Sequence, residues 1–197
     1  MDSQVTLIDI PIVEAASPGR TVLEFCADDV HNTVVRIRGE RGRLYTVEST
    51  KDISATKVYR TNSGFEPEVV ALITRNNVLP DQVAFSGGQA IRIGKFLKSS
   101  ALSNFPATME VDGRKYIWKR NIVDPLTVCM FSTDSISKPL AWFCKSQRRL
   151  LNDQMSTTPA YLEIDNEVIG ARDLVFVACI ILEHRLRMLA KTSGIVR

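Results

Sequence analysis

Histidine is scarce in this sequence, and cysteine never occurs in closely spaced pairs. The 197 residues hold two histidines, His31 and His184, and four cysteines, Cys26, Cys129, Cys144 and Cys179. No pair of cysteines has C-x-x-C spacing, so a zinc site of the common finger or ribbon type is excluded. The cysteines are far apart in apolar neighbourhoods, which predicts buried reduced thiols in a reducing, cytoplasmic compartment. The phosphate-binding patterns G-x-x-x-x-G-K-[ST] and G-x-G-x-x-G are absent, and so is the G-x-S-x-G nucleophile elbow. Ser86-Gly87-Gly88 has a glycine-rich look without the rest of a phosphate loop. With no nucleophile–base pair suggested by any motif, the chain reads as non-enzymatic and without a cofactor. The first twenty residues lack a basic segment followed by an apolar run, so they do not read as a secretory signal. Gly is missing at position 2, which argues against N-myristoylation, and the terminal Gly-Ile-Val-Arg is not a prenylation box.

Charge of one sign is also in short supply. Twenty-five Lys and Arg against 22 Asp and Glu leave a net +3, too little to imply a nucleic-acid partner. Long hydrophobic runs are limited to one. Leu174 to Leu182 is apolar at nine successive positions, within a helix predicted over Asp173–Lys191. A helix apolar on every face must be surrounded by protein or lipid. Nine residues cover only ~14 Å, short of the roughly 20 residues that a membrane span needs. Glu183, His184, Arg185 and Arg187 prevent extension. The helix is therefore expected to be wrapped by the rest of the chain.

That remainder is strand-like. Residues 1–20 form an arm ending at Ser17-Pro18-Gly19. Twelve strands are predicted after it, at 21–26, 33–38, 43–48, 55–61, 68–75, 82–85, 90–93, 108–111, 115–120, 126–131, 139–145 and 160–164. Gly39 and Gly42 serve one short connection and Asp112-Gly113 another, the latter a strong hairpin signal. The pattern predicts a mainly β fold over 21–197: a closed, antiparallel barrel of about twelve strands around the hydrophobic C-terminal helix. Closure removes sheet edges, and the helix fills a lumen too wide for strand side chains.

The stretches LEFCADDVHNTVV at 23–35, GRLYTVEST at 42–50, VDGRKYIWKR at 111–120, PLAWF at 139–143 and DLVFVACIILEHRLRM at 173–188 carry a resemblance. The chain resembles the tubby C-terminal-like superfamily, which includes LURP-one-related proteins and phospholipid scramblases. Within it the likeness is closest to a domain of unknown function common in mushroom-forming fungi. The resemblance implies a barrel of about twelve strands around a hydrophobic helix. Because tubby-type members bind phosphoinositide head groups through basic side chains, it also implies a role at membrane surfaces.

The candidate site residues are basic. Arg114, Lys115, Lys119 and Arg120 bracket Tyr116, Ile117 and Trp118. Strand parity puts Arg114 and Arg120 on one face and Lys115 and Lys119 on the other. Same-face neighbours two residues apart lie ~7 Å from each other, close enough to bracket a phosphate, and Arg adds a forked contact. Arg36 and Arg38, with Arg41 and Arg43 across the turn, form a second cluster. Lys145, Arg148 and Arg149 form a third, in a loop, where a solvated charge run is the plain reading. His31 beside Asp28 and Asp29 reads as a loop histidine among solvated acids, and His184 as a residue capping or ion-pairing near the helix end. The expected function is recognition of anionic phospholipid or phosphoinositide head groups by a cytoplasmic protein peripheral at membranes. The alternatives are a protein-interaction or structural role without a lipid, and a barrel holding an apolar ligand, which a lumen-filling helix opposes. Arg36, Arg38, Arg114 and Arg120 on one surface would favour lipid, and their dispersal would favour a protein partner.

Overall fold

A computed structural model describes residues 19–61, 66–100, 104–121, 127–151 and 154–192, the side chains of 148–155 excepted. Most of the predicted arm, and the side chains of Arg148 and Arg149, lie outside the described residues.

All twelve sequence-derived strands are present. They are β1 (Arg20–Phe25), β2 (Thr33–Ile37), β3 (Arg43–Ser49), β4 (Ala55–Arg60), β5 (Glu68–Thr74), β6 (Gln82–Phe85) and β7 (Ile91–Arg92), then β9 (Ala107–Val111), β10 (Arg114–Arg120), β11 (Val128–Ser132), β12 (Ala141–Cys144) and β15 (Tyr161–Asp165). Between β7 and β9 come the single helical turn α1 (Ile93–Phe96) and the two-residue strand β8 (Lys98–Ser99). Among the described residues strands β13 (Gln147–Leu151) and β14 (Gln154–Thr158) pair only with each other. The long helix α2 (Arg172–Thr192) ends the described chain, entered through a 3-10 turn at Asn166–Ala171.

Every pairing is antiparallel, and 13 strands form one sheet in the order β7-β6-β5-β4-β3-β2-β1-β15-β12-β11-β10-β9-β8. The expected hydrogen-bonded closure is corrected here. Among the described residues β7 and β8 are edges and do not pair with each other. The four-residue turn α1 joins them instead. Two-residue strands offer too few ladder groups to span the gap. Asp112 and Gly113, with φ of 50° and 76°, form the tight turn between β9 and β10; left-handed φ at both central positions matches the twist of the strands.

The sheet encloses the helix. Val175 to Glu183 are all buried, nine residues in succession, so no face of this segment meets solvent. Leu174 is only partly buried, packed at the edge of the core. Phe176 stacks on Tyr45 of β3 at 4.3 Å and 9°, and meets Phe25 of β1 at 5.9 Å. The helix start is pinned from the sheet: the Tyr45 hydroxyl donates to Asp173, Arg60 pairs with Asp173, and Arg172 Nε donates to the Tyr45 hydroxyl at 3.2 Å.

None of the four cysteines forms a disulfide, and three are buried; Cys26 is exposed, contrary to the sequence expectation. It follows the last residue of β1, where strand alternation turns it outward. Burial pushes the Cys179 thiol well above its ordinary value. Alkylation of the native protein should therefore add one label, at Cys26, and alkylation after denaturation should add all four. Mass spectrometry that finds a stoichiometric disulfide contradicts this reading.

Candidate functional site: a lysine-rimmed groove at the seam

The fold does not bring the sequence-predicted cations together. Strands β2 and β10 are five strand spacings apart, about 24 Å along the sheet at ~4.8 Å each. Arg114 and Arg120 lie at opposite ends of β10, six residues or ~20 Å apart, flanking Tyr116 and Trp118, which are buried. Arg36 is exposed, with Glu24 and Arg43 as its cross-strand partners. Arg38 is engaged: its Nε is 2.5 Å from Glu24 Oε1 and its guanidinium lies over the Tyr161 ring at 5.2 Å. Lys119 sits 5.9 Å from the centre of the Phe131 ring.

Lys115 is placed differently. It is exposed and borders a groove of about 390 Å³ at the seam, where the two short edge strands leave the sheet unclosed. Lys95 of α1 and Lys98 of β8 border the same groove, whose apolar lining comes from Ile91, Phe96 and Met109. Register explains the convergence. Lys98 is opposite Thr108 on β9, and Lys115 is opposite Glu110 on the same strand. The two lysines thus stand two strands and two residues apart on the outer face, roughly 12 Å between Cα atoms. Phe96 is fixed by an edge contact with Phe85 at 5.0 Å, and Met109 by Trp118, whose Nε1 lies 3.1 Å from its sulfur.

Among the described residues none of these three lysines is in an ion pair, and Glu110 is the one acid at the groove. An apolar floor with an excess of unpaired ammonium groups suits a ligand that is apolar at one end and anionic at the other. Lys95 and Lys98 were not singled out from sequence. The signal available was two lysines flanking Phe96 and Leu97, which is common on surfaces.

A second cluster lies at the end of the molecule where α2 finishes. His31 Nε2 and His184 Nδ1 are 3.0 Å apart with their rings edge to face, so the histidine predicted in a solvated loop and the one predicted to cap or ion-pair near the helix end are in fact packed against each other. Burial, reinforced by the positive charge of Arg75, depresses both to about 4. Next to them Glu183, fully buried, accepts from Arg187 at 2.8 Å and faces Lys145 at 3.2 Å. Lys145, read from sequence as part of a solvated run, is thereby tied to the helix. Among the described residues no group of three His, Cys, Asp or Glu is arranged to hold a metal ion, and no helix is long and apolar enough to cross a membrane.

No curated protein and no solved structure matches the chain. A family model described as "Family of unknown function (DUF6593)" matches residues 28–188, from the loop after β1 to the last turns of α2. That match takes in nearly the whole sheet and the helix it encloses, and the chain belongs to this family.

Proposed function

We propose that the chain is a non-enzymatic binding module of tubby-like barrel architecture that recognises anionic phospholipid at a membrane surface. The observation that carries this reading is the seam groove, where Lys95, Lys98 and Lys115 rim a floor of Ile91, Phe96 and Met109. The lysines hold the anionic head group and the floor takes part of the acyl chain. The order of the sheet and the turn joining β7 to β8 support the barrel description.

The test is co-sedimentation with vesicles. Binding should be stronger to anionic than to neutral vesicles, and should fall as salt shortens the Debye length from about 10 Å at 0.1 M to about 3 Å at 1 M. Each lysine near an anionic surface contributes ~1 kcal/mol, so changing Lys95, Lys98 and Lys115 to Gln should weaken binding roughly a hundredfold. Arg36 and Arg38 changed together to Ala should matter much less, because Arg38 is already held by Glu24 and Tyr161. Sedimentation indifferent to lipid charge contradicts the proposal. It would leave a protein-interaction role in front, a reading favoured by the dispersal of Arg36, Arg38, Arg114 and Arg120 over the sheet and by Val78 and Leu79, 94% and 66% exposed between β5 and β6.

A further inference from the structure

The end of the molecule opposite the start of α2 holds a second cavity, of about 490 Å³, that the lipid reading does not use. Its floor is the His31–His184 pair. Acids enter from the loop between β1 and β2, as Asp28 and Asp29, while cations come from α2, as Arg187 and Lys191, and from Lys145 after β12. Charge is thus divided between elements: an acidic side supplied by one loop and a basic side supplied by the helix and its neighbour. Lys145 and Arg187 share the single Oε1 of Glu183, so one carboxylate does not neutralise the two of them. Four buried polar atoms around this cluster, His31 Nδ1, Glu183 Oε2, Arg75 Nη2 and Arg185 Nη1, have no hydrogen-bond partner among the described residues. Such atoms are uncommon in folded chains because each costs desolvation that nothing returns. Arg75 and Arg185 add positive charge behind the histidines, with Asp81 opposing it.

We propose that this cavity binds a small zwitterion, a molecule joining an ammonium group to an oxyanion, such as an aminoalkyl phosphate or an α-amino acid. The oxyanion lies against Lys145, Arg187 and Lys191, and the ammonium against Asp28 and Asp29. The imidazole pair supplies polar contact between them, since two nitrogens, His31 Nδ1 and His184 Nε2, stand outside its hydrogen bond, one protonated and one not whichever ring donates to the other. A simple anion would meet two carboxylates in this space, and a simple amine three cations. Only a ligand with both charges matches both sides.

The chain's two histidines are both in this cavity, so imidazole NMR signals of the full protein report on it alone. Titration with O-phosphoethanolamine or glycine, at constant pH, should shift both imidazoles, whereas inorganic phosphate or ethylamine alone should bind roughly tenfold more weakly or worse. Asp28→Asn and Lys191→Gln alter exposed positions and should each lower zwitterion affinity by about tenfold without unfolding the protein. Phosphate binding as tightly as phosphoethanolamine would make this a plain anion site and overturn the proposal. So would unchanged imidazole signals with every probe, or variants that bind like the parent. Because the seam groove lies elsewhere, failure of this titration leaves vesicle binding unaffected.

Discussion

Replacing Ile180 by Asp is expected to unfold the protein. Ile180 is fully buried at the middle of the nine-residue buried stretch of α2. A carboxylate there would have no water and no counter-charge: Glu183, three residues on, is itself a buried acid, and Lys145 and Arg187 already engage it. An unpaired charge in such a place costs several kcal/mol even when it protonates to escape ionisation. That is comparable with the roughly 5–15 kcal/mol that separates a folded domain from its unfolded chain. Circular dichroism and urea unfolding check the outcome, with Leu189→Asp as the matched control, since Leu189 is 37% exposed on the same helix. If Ile180→Asp melts within a few degrees of the parent, α2 is not the enclosed core described here.

Acid should also destabilise the fold, and the histidine pair is the main reason above pH 4. Both imidazoles have folded-state values near 4, against an ordinary 6.5. The unfolded chain therefore takes up protons first as pH falls. The stability associated with neutral His31 and His184 is complete above about pH 6.5 and is lost progressively as pH drops through 4. One pKa unit is about 1.4 kcal/mol, and because solvent screens the half-buried His184 its share is discounted, so the loss for the pair is on the order of 2 kcal/mol. The groups facing them work mostly in the same direction. Arg75, Arg185, Arg187 and Lys191 disfavour an imidazolium, while Asp29 and Asp81 favour one. Glu183 opposes the trend, because burial raises its pKa and its folded form accepts a proton more readily. Asp165, lowered by Lys138, adds a further loss at more acidic pH. Urea unfolding between pH 7.5 and 4.5 should show the decline, and His184→Asn should flatten much of it. A stability profile level across that range contradicts the buried neutral pair.

How much of this was legible in the sequence depended on the range of the signal. The helix declared itself through unbroken apolarity at Leu174–Leu182, a local pattern that only enclosure satisfies. The twelve strands followed from alternation and turn residues, again local. The edges did not. Lys98-Ser99 is too short to show alternation, and the turn Ile93–Phe96 has no side-chain cap, so the seam leaves no local signal and strand patterning alone predicts closure. The basic clusters were read by proximity in sequence, yet β2 and β10 are separated by four intervening strands, and Arg38 is spent on Glu24. The groove lysines come together only because α1, β8 and β10 meet around β9. The His31–His184 contact spans 153 residues, and nothing in either local neighbourhood foretells it.

The central claim is that anionic lipid seats at the seam, and lysine footprinting tests it most directly. The protein is acylated at lysine with and without a monomeric short-chain phosphatidic acid, and each site is quantified by mass spectrometry. The account predicts that Lys95, Lys98 and Lys115 lose reactivity when the lipid is present, while Lys51 and Lys57, exposed on and beside β4, keep theirs. Equal protection at all five positions, or none at Lys95, Lys98 and Lys115, would contradict it.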